Sequence, residues 1–247
     1  MFPSNGALAV EINRIHSNEF ILDDIRPDFD QDLMTAKLKP APPKVVAIFK
    51  ALIREARTLA RPRAAFKVCR VEPCSAAEVN LDGVSFTGEL LHDNLDGLKW
   101  VYAYVATEGP ELVQWAESLS NPMRLLSWSI RYTALKLAEI ELCRYIKSAF
   151  GLKQISSMNP GSLSHWPIEQ QEPLFELLSP LPEAISLKLL PNFWMSPALA
   201  SSGIFFQTEV KFYNCQLCPL ETCEHRRTAF RGKSGWPQRK NVIGEAA

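Results

Sequence analysis

The order in which helical and strand-like patterns follow one another constrains the fold of this chain more than any other feature. Apolar residues recur at helical spacing from Val45 to Leu59, after the rigid stretch Pro40-Ala-Pro-Pro43. Short runs rich in β-branched and aromatic residues predict strands at 66–71, 79–86 and 100–107. Helical patterns return at 110–120 and 122–150, and Gly151 is placed to end the second. Strands that come in clusters favour an α+β fold over a doubly wound sheet.

The remaining residues add shorter elements and two flanking segments. A loop at 156–166 precedes a helix opened by Pro167, and two further strands are predicted at 185–190 and 203–212. We therefore expect an acidic entry segment (1–40), a core (41–214), a cysteine-rich segment (215–230) and a disordered tail (231–247).

Composition narrows the class of protein. The 27 basic and 27 acidic residues of the 247-residue chain cancel, so no overall field attracts nucleic acid or an anionic membrane. No stretch approaches the ~20 apolar residues of a membrane-spanning helix, and residues 1–11 lack the pattern of a secretory signal. We expect a globular cytoplasmic protein with reduced thiols and with neither nucleic-acid nor membrane partners.

One loop concentrates small and polar residues, Met158-Asn-Pro-Gly-Ser-Leu-Ser-His-Trp-Pro-Ile-Glu-Gln170. Gly161 can adopt conformations closed to other residues and lets a ligand approach the main chain. The N–H groups at the start of the following helix favour a carboxylate or a phosphate. On composition alone, an ordinary connecting turn is the favoured interpretation.

The loop belongs to a longer pattern. It runs through Trp166-Pro-Ile-Glu-Gln170 into Leu174-Phe-Glu-Leu-Leu178, and a second small-residue segment follows at Met195-Ser-Pro-Ala-Leu-Ala-Ser-Ser-Gly-Ile204. In this order the two segments resemble the Ser-Pro-Gly-Tyr and Met-x-Pro-x-x-Ser-x-Ser-Gly-Ile motifs of the S-adenosylmethionine-binding activation domain of cobalamin-dependent methionine synthase. The resemblance covers residues 153–206. It implies a free-standing activation-domain-like protein with mixed helices around a largely antiparallel sheet.

The resemblance also implies a ligand, a reaction and partners. The S-adenosylmethionine site would be lined by Asn159, Pro160, Gly161 and Ser162, with Ser201, Ser202 and Gly203 nearby. In the family's reactivation reaction an electron reduces cob(II)alamin, and the methyl group of S-adenosylmethionine converts the cob(I)alamin into methylcobalamin. A separate corrinoid-binding protein or methionine synthase module would present the cobalamin, and a flavodoxin or ferredoxin could donate the electron. This methyltransferase-associated role requires positioning, so no catalytic residue is assigned.

Three positions depart from the family's pattern. The arginine commonly found before Pro-Gly is absent from Ser156-Ser-Met-Asn159, and Ser162 replaces the aromatic residue after the glycine. Ala200 stands where a basic residue is frequent. Without the arginine, a carboxylate ligand loses a charge-assisted contact.

Three of the six cysteines lie within nine residues, as Cys215-Gln-Leu-Cys218 and Cys223, followed by His225. Two cysteines separated by two residues can place both sulfurs on one ion, and thiolates select zinc or an iron–sulfur cluster. The predicted metal ligands are Cys215, Cys218, Cys223 and His225, and the alternatives to the histidine are Cys69, Cys74 or no protein group at all. Unligated thiols in a loop remain the alternative interpretation.

Two other functions stay open. The chain could be a metal- or iron–sulfur-containing electron-transfer or interaction module that keeps the fold without using S-adenosylmethionine, an interpretation that the missing arginine favours. It could also be a zinc-stapled interaction domain in which the Pro-Gly loop is only a turn. Ligand titration and metal analysis discriminate between these functions.

Overall fold

A computed structural model describes residues 11–23, 25–38, 40–72, 78–223 and 226–232. The chain divides into two compact units, each assembled from three separate stretches of sequence. The first unit comprises Met1–Lys67, Tyr104–Ile146 and Ser179–Ser201, and the second comprises Val68–Ala103, Lys147–Leu178 and Ser202–Ala247.

The described residues form helices, strands and two short 3-10 turns. The helices are α1 (Gln31–Ala36), α2 (Pro43–Leu59), α3 (Glu89–Leu95), α4 (Pro110–Ser118), α5 (Asn121–Ala149), α6 (Gln171–Leu178) and α7 (Leu181–Ala184). The strands are β1 (Glu11–His16), β2 (Glu19–Asp23), β3 (Arg63–Glu72), β4 (Glu78–Leu81), β5 (Val84–Thr87), β6 (Trp100–Thr107), β7 (Ile155–Met158), β8 (Lys188–Leu189), β9 (Met195–Ser196) and β10 (Ala200–Gln207). In the part of the chain described, no helix is long and apolar enough to cross a membrane.

The strands confirm the predicted α+β class. The main sheet has the order β1-β2-β3-β6-β10-β7, and β4 joins β3 and carries β5. The pairs β1–β2, β2–β3, β3–β4, β4–β5 and β7–β10 are antiparallel. A separate antiparallel pair is formed by β8 and β9.

In the first unit, α2 supplies one wall of the core. Pro43 lies at the start of the helix, where a missing N–H group leaves no hydrogen bond unmade. The helix buries its face at Phe49, Leu52, Ile53 and Ala56. These side chains share one core with α4 and α5 residues, namely Leu112, Trp115, Ala116, Ile130 and Ala134. The helical spacing of apolar residues in the sequence therefore marked true core positions.

The entry segment contributes to the sheet of the first unit. Strand β2 pairs with β3, with Phe20 opposite Phe66 and Glu19 opposite Lys67. The two phenyl rings stack with centroids 4.7 Å apart, and the Glu19 carboxylate lies 3.5 Å from the Lys67 ammonium. No strand was predicted in this segment, where β1 and β2 are only six and five residues long.

In the second unit, β4 and β5 form a hairpin and α6 packs on β5. The hairpin turns at Asp82 and Gly83, whose φ angles are 49° and 89°, as a tight turn between twisted strands requires. Gly151 has a φ of 63°, and the Leu152 N–H donates to the Lys147 carbonyl at 2.9 Å. This bond satisfies a carbonyl at the end of α5 and confirms the predicted role of the glycine.

Several sequence predictions need correction. No helix was predicted between the strands at 79–86 and 100–107, whereas the seven-residue helix α3 lies there and buries Leu90, Leu91 and Leu95. The strand predicted at 185–190 shrinks to the two residues of β8, after the short helix α7. The strand predicted at 203–212 runs from Ala200 to Gln207. Most of the predicted disordered tail, residues 233–247, lies outside the described residues.

Candidate functional site

The Pro-Gly loop, residues 159–167, begins at the end of β7 and is held closed by its own main chain. The Gly161 N–H donates to the Trp166 carbonyl at 2.8 Å, and the Ser162 N–H donates to the Asn159 carbonyl at 3.2 Å. Trp166 is 1% exposed and its own N–H donates to the Leu163 carbonyl at 3.1 Å. The loop is thus a turn anchored by a buried indole, and the N–H groups of residues 161 and 162 already have acceptors.

Asn159 and Ser202 bring the two sequence motifs together within the second unit. The Asn159 Nδ2 donates to the main-chain carbonyl of Ser202, on β10, at 2.6 Å. The Ser202 hydroxyl donates to the Gln171 Oε1, on α6, at 2.6 Å, and both of these side chains are buried. These contacts fix the positions of loop, strand and helix, so the Ser202 hydroxyl is engaged within the fold.

The predicted ligand residues of the second unit differ in accessibility. Gly161 and Ser162 are exposed, Asn159 is half-buried, and Pro160 and Gly203 are buried. Gly161 has a φ of 76°, a conformation that favours glycine. A Cβ added there would lie 2.5 Å from the Ile168 Cδ1. The left-handed backbone and the contact with Ile168 therefore both favour glycine at this position, whatever a ligand also requires of it.

Ser201 belongs to the first unit, where its hydroxyl lies 3.4 Å from the Tyr104 Oη. Tyr104 is 2% exposed, whereas Ser201 is half-buried. The serine hydroxyl can therefore bond to the buried tyrosine at the start of β10.

An open groove of about 290 Å³ borders the loop in the second unit, lined by Thr87, Gly88, Glu89, Ser164, His165 and Pro167. A Cβ at Gly88 would lie 2.8 Å from the His165 carbonyl, so the glycine allows the two segments to meet. The Thr87 N–H donates to the Gln170 Oε1 at 2.8 Å. Gln170 and Gln171 follow the Trp-Pro-Ile motif directly, yet sequence reasoning assigned neither glutamine a role in positioning the loop.

A buried ion pair in the first unit was also missed. Glu108 is 0% exposed, and its carboxylate accepts from Arg131 Nε at 2.5 Å and from Nη2 at 2.6 Å. Burial raises the pKa of Glu108, while the hydrogen bonds and charge of Arg131 oppose that rise. The Glu108 N–H donates to the Leu199 carbonyl at 3.2 Å, directly before β10. The main chain of Glu108 therefore links this ion pair to the residue directly before β10, the strand that carries the end of the second motif.

The cysteine-rich segment holds three half-buried thiols, Cys215, Cys218 and Cys223, none in a disulfide. Among the described residues, no group of three or more His, Cys, Asp or Glu side chains is arranged to hold a metal ion. The proposed ligand His225 and the alternative Cys74 lie outside the described residues, and Cys69 is buried in β3. The metal-ligand set remains a prediction.

Comparison with known proteins identifies the fold. No protein-family model and no curated protein matches the sequence. Among solved structures, the chain is similar to the crystal structure of the MetH reactivation domain bound to AdoHcy, with a TM-score of 0.57 and 14% identity. The match covers 83% of this chain and 81% of that chain. The resemblance carried by residues 153–206 is therefore confirmed at the level of architecture, and this chain has the fold of the MetH reactivation domain.

Proposed function

We propose that this protein binds S-adenosylmethionine and supports reductive methylation of a cobalamin held by a separate corrinoid protein or methionine synthase module. The fold match supports the proposal, because the similar domain was crystallised with AdoHcy, the product that remains when S-adenosylmethionine loses its methyl group. The match shows fold alone, so the ligand site has to be argued from this chain's own residues.

The observation that carries the proposal is the 2.6 Å hydrogen bond from the Asn159 side chain to the Ser202 carbonyl. It places the two segments that resemble the family's motifs side by side, although they are 43 residues apart in sequence. The bond leaves Gly161 and Ser162 exposed at the tip of a rigid loop. A rigid loop with a small, polar tip suits the positioning of a ligand.

The residues present fit a ligand held by shape and by neutral polar contacts. The Ser162 hydroxyl can donate and accept hydrogen bonds. Because residue 162 is a serine, its small side chain does not crowd the neighbouring Gly161. When bound, S-adenosylmethionine would supply the methyl group. The protein's part would be to hold the loop through Asn159 and Gln171 and to keep the ligand's approach fixed.

Calorimetric titration of the full chain with S-adenosylmethionine and with AdoHcy tests this proposal. We expect saturable heat with both ligands. Ser162→Trp should abolish that heat, whereas Ser148→Trp, at an exposed position on α5 outside both motifs, should retain it. Both variants should unfold at the temperature of the wild type, because neither serine is buried. Absence of binding by the wild type at millimolar ligand would refute the proposal.

The partner reaction needs its own assay. A cobalamin module in the cob(II) state is incubated with a chemical reductant, S-adenosylmethionine and the full chain, and methylcobalamin is followed by its absorption spectrum. We expect its formation to depend on both the chain and the methyl donor. Formation at the same rate without the chain would show that the protein takes no part in the methylation.

A second function is favoured by one specific observation. The N–H groups of Gly161 and Ser162 are bonded within the loop, and the family's arginine is absent. An interaction or electron-transfer module that keeps the fold but does not use S-adenosylmethionine would have these properties. In that case the wild type binds the cobalamin module and gives no heat with either ligand.

A further inference from the structure

The first two thiols of the cysteine-rich segment lie on one tight turn in the second unit. The N–H groups of Leu217 and Cys218 both donate to the Asn214 carbonyl at 3.0 Å, which continues the 3-10 turn Asn214–Gln216. Leu217 has a φ of −109° and a ψ of −7°, so both residues between Cys215 and Cys218 have right-handed helical dihedral angles. In such a turn the first and fourth Cα atoms lie within about 7 Å, and a disulfide requires about 4.4–6.8 Å. The backbone of this turn is therefore compatible with a disulfide between the two cysteines.

The residues between the two cysteines hold the turn against the fold. Gln216 and Leu217 are both buried. The Gln216 carbonyl accepts from the Arg231 N–H at 2.8 Å, and its side-chain Oε1 accepts from the Tyr213 N–H at 3.1 Å. Residues three apart on a 3-10 turn lie on the same side. The turn therefore directs its middle residues inward and leaves the two thiols together, half-buried, on its accessible side.

One arginine ties the main chain at both cysteines. The Arg226 guanidinium donates to the carbonyls of Cys215 at 3.0 Å and of Cys218 at 3.1 Å, and also to the Leu220 carbonyl. The Arg227 N–H donates to the Cys215 Sγ at 3.5 Å. These contacts restrict both ends of the turn, so a bond between the two sulfurs would order little that is not already ordered.

The third thiol, Cys223, is placed differently. It lies after the turn, and its carbonyl accepts from the Arg226 N–H at 3.1 Å. Among the described residues, the three thiols do not form a group arranged to hold a metal ion. The pair on the turn, rather than all three thiols, is therefore the arrangement that can react as a unit.

We infer that Cys215 and Cys218 form a dithiol that is oxidised reversibly to a disulfide by thiol–disulfide exchange. One cysteine sulfur, as a thiolate, attacks a small disulfide R–S–S–R and forms a mixed disulfide, and the released R–S⁻ takes up the proton that the cysteine lost. The second cysteine sulfur then attacks the first within the mixed disulfide and releases a second R–SH. The two cysteines together lose two electrons and two protons, which reduce R–S–S–R to two R–SH molecules.

The expected bond is reversible rather than structural. It closes a ring over only the four residues from Cys215 to Cys218, so it removes little entropy from the unfolded chain and adds little stability. Both thiols are accessible, and exposed disulfides are the ones that thiols reduce most readily. The inference is independent of the proposed function, since no residue of the Pro-Gly loop takes part.

Redox titration of the full chain provides the first test, and it requires no variant. The protein is equilibrated with mixtures of reduced and oxidised glutathione in the presence of a metal chelator. The remaining thiols are blocked with N-ethylmaleimide, and the tryptic peptide 212–226, which contains all three cysteines, is analysed by mass spectrometry. We expect the oxidised peptide to carry one N-ethylmaleimide group, at Cys223, and a disulfide that fragmentation locates between Cys215 and Cys218. Dithiothreitol should restore three thiols that N-ethylmaleimide can block.

Serine variants separate the pair from the third thiol. Cys215→Ser and Cys218→Ser should each retain glutathione as a mixed disulfide on the remaining cysteine of the pair. At about 0.1 mM glutathione, this mixed disulfide should be at least ~10-fold scarcer in the wild type, because a neighbouring thiol acts at an effective concentration of at least about 1 mM. Cys223→Ser is the matched control and should form the disulfide as the wild type does.

Three results would overturn the inference. Thiols that stay reduced in oxidised glutathione alone would exclude the exchange reaction. Mixed glutathione disulfides at both cysteines of the wild type, without a bond between them, would show that the turn does not pair the thiols. A wild-type disulfide that joins Cys223 to either cysteine of the pair would exclude the assigned partners. Titration with S-adenosylmethionine reports on the Pro-Gly loop alone, so failure here is distinguishable from failure of the proposed function.

Discussion

Replacing Gly161 by alanine tests whether packing inside the loop accounts for this glycine. The added Cβ would lie 2.5 Å from the Ile168 Cδ1, 3.1 Å from its Cβ and 3.3 Å from its Cγ1, at a φ of 76°. The left-handed backbone costs a non-glycine residue about 1–2 kcal/mol, and overpacking adds about 1–3 kcal/mol. We expect Gly161→Ala to lower the free energy of unfolding by about 2–5 kcal/mol.

A double-mutant cycle with Ile168→Ala separates the two contributions. Ile168 is 36% exposed, so its truncation should cost less than the ~2–5 kcal/mol of a core isoleucine. Truncation of Ile168 removes two of the three close atoms. The free energy of unfolding of the double variant should therefore be about 1–3 kcal/mol higher than the sum of the two single effects predicts. Urea unfolding, followed by far-ultraviolet circular dichroism and by fluorescence, gives these values if the two transitions coincide.

The packing argument is refuted if the effects of the two substitutions on the free energy of unfolding are additive. It is also refuted if Gly161→Ala lowers that free energy by less than about 1 kcal/mol. The same variants also test the ligand role of the loop. If the glycine additionally permits a ligand to approach, the double variant recovers stability without recovering affinity for S-adenosylmethionine. Recovery of both would show that the glycine serves packing alone.

Two further predictions concern the first unit. Because the pKa of Glu108 is raised in the folded state, its contribution to stability is complete below the ordinary glutamate pKa of 4.5 and is lost as pH rises through the raised value. The unfolding free energy of the wild type minus that of Glu108→Gln should therefore fall with rising pH in urea titrations, and a constant difference contradicts the pKa shift. Gly109→Ala should cost at least about 3 kcal/mol, because the new Cβ would lie 2.3 Å from the Arg61 carbonyl. Gly83→Ala in the second unit is the control, with the same φ of 89° but no atom within 4 Å of the new Cβ. It should cost only about 1–2 kcal/mol in the same assay, and equal losses would rule out the steric overlap.

Helical periodicity predicted the long elements correctly because burial repeats along them. Helix α2 shows its core face as regularly spaced apolar residues, and both it and α4 begin with a proline. Helix α3 escaped prediction because seven residues give too few turns for a period to show, and a turn signal ends it. Strand β2 was not predicted because its place in the sheet depends on pairing with β3, and the sequence does not show which strands pair.

The candidate site could be predicted from the sequence as two motifs, but its hydrogen-bond network could not. The resemblance to the family's two motifs pointed to the loop around Gly161 and to the serines before Ile204, whereas composition alone favoured an ordinary turn. The hydrogen bonds that join them depend on residues far apart in sequence, such as Thr87 with Gln170, 83 positions away. The Glu108–Arg131 pair was missed for a related reason. A lone glutamate between a strand and a helix is usually solvated, and only the fold reveals that this one is buried.

The saturated loop constrains how tightly S-adenosylmethionine could bind. The N–H groups of Gly161 and Ser162 have internal acceptors, and no arginine directly precedes Pro160, so the hydroxyl of Ser162 is an exposed donor next to Gly161. Hydrogen bonds between neutral groups contribute about 0.5–1.5 kcal/mol, whereas those to charged groups contribute about 1.5–3 kcal/mol. Exchanging an arginine contact for a serine contact therefore costs about 1–2 kcal/mol, or about 5- to 30-fold in Kd. A Kd higher by this factor than that of an arginine-bearing domain is compatible with the proposed function. The titration therefore has to extend to millimolar ligand before absence of heat counts against the proposal.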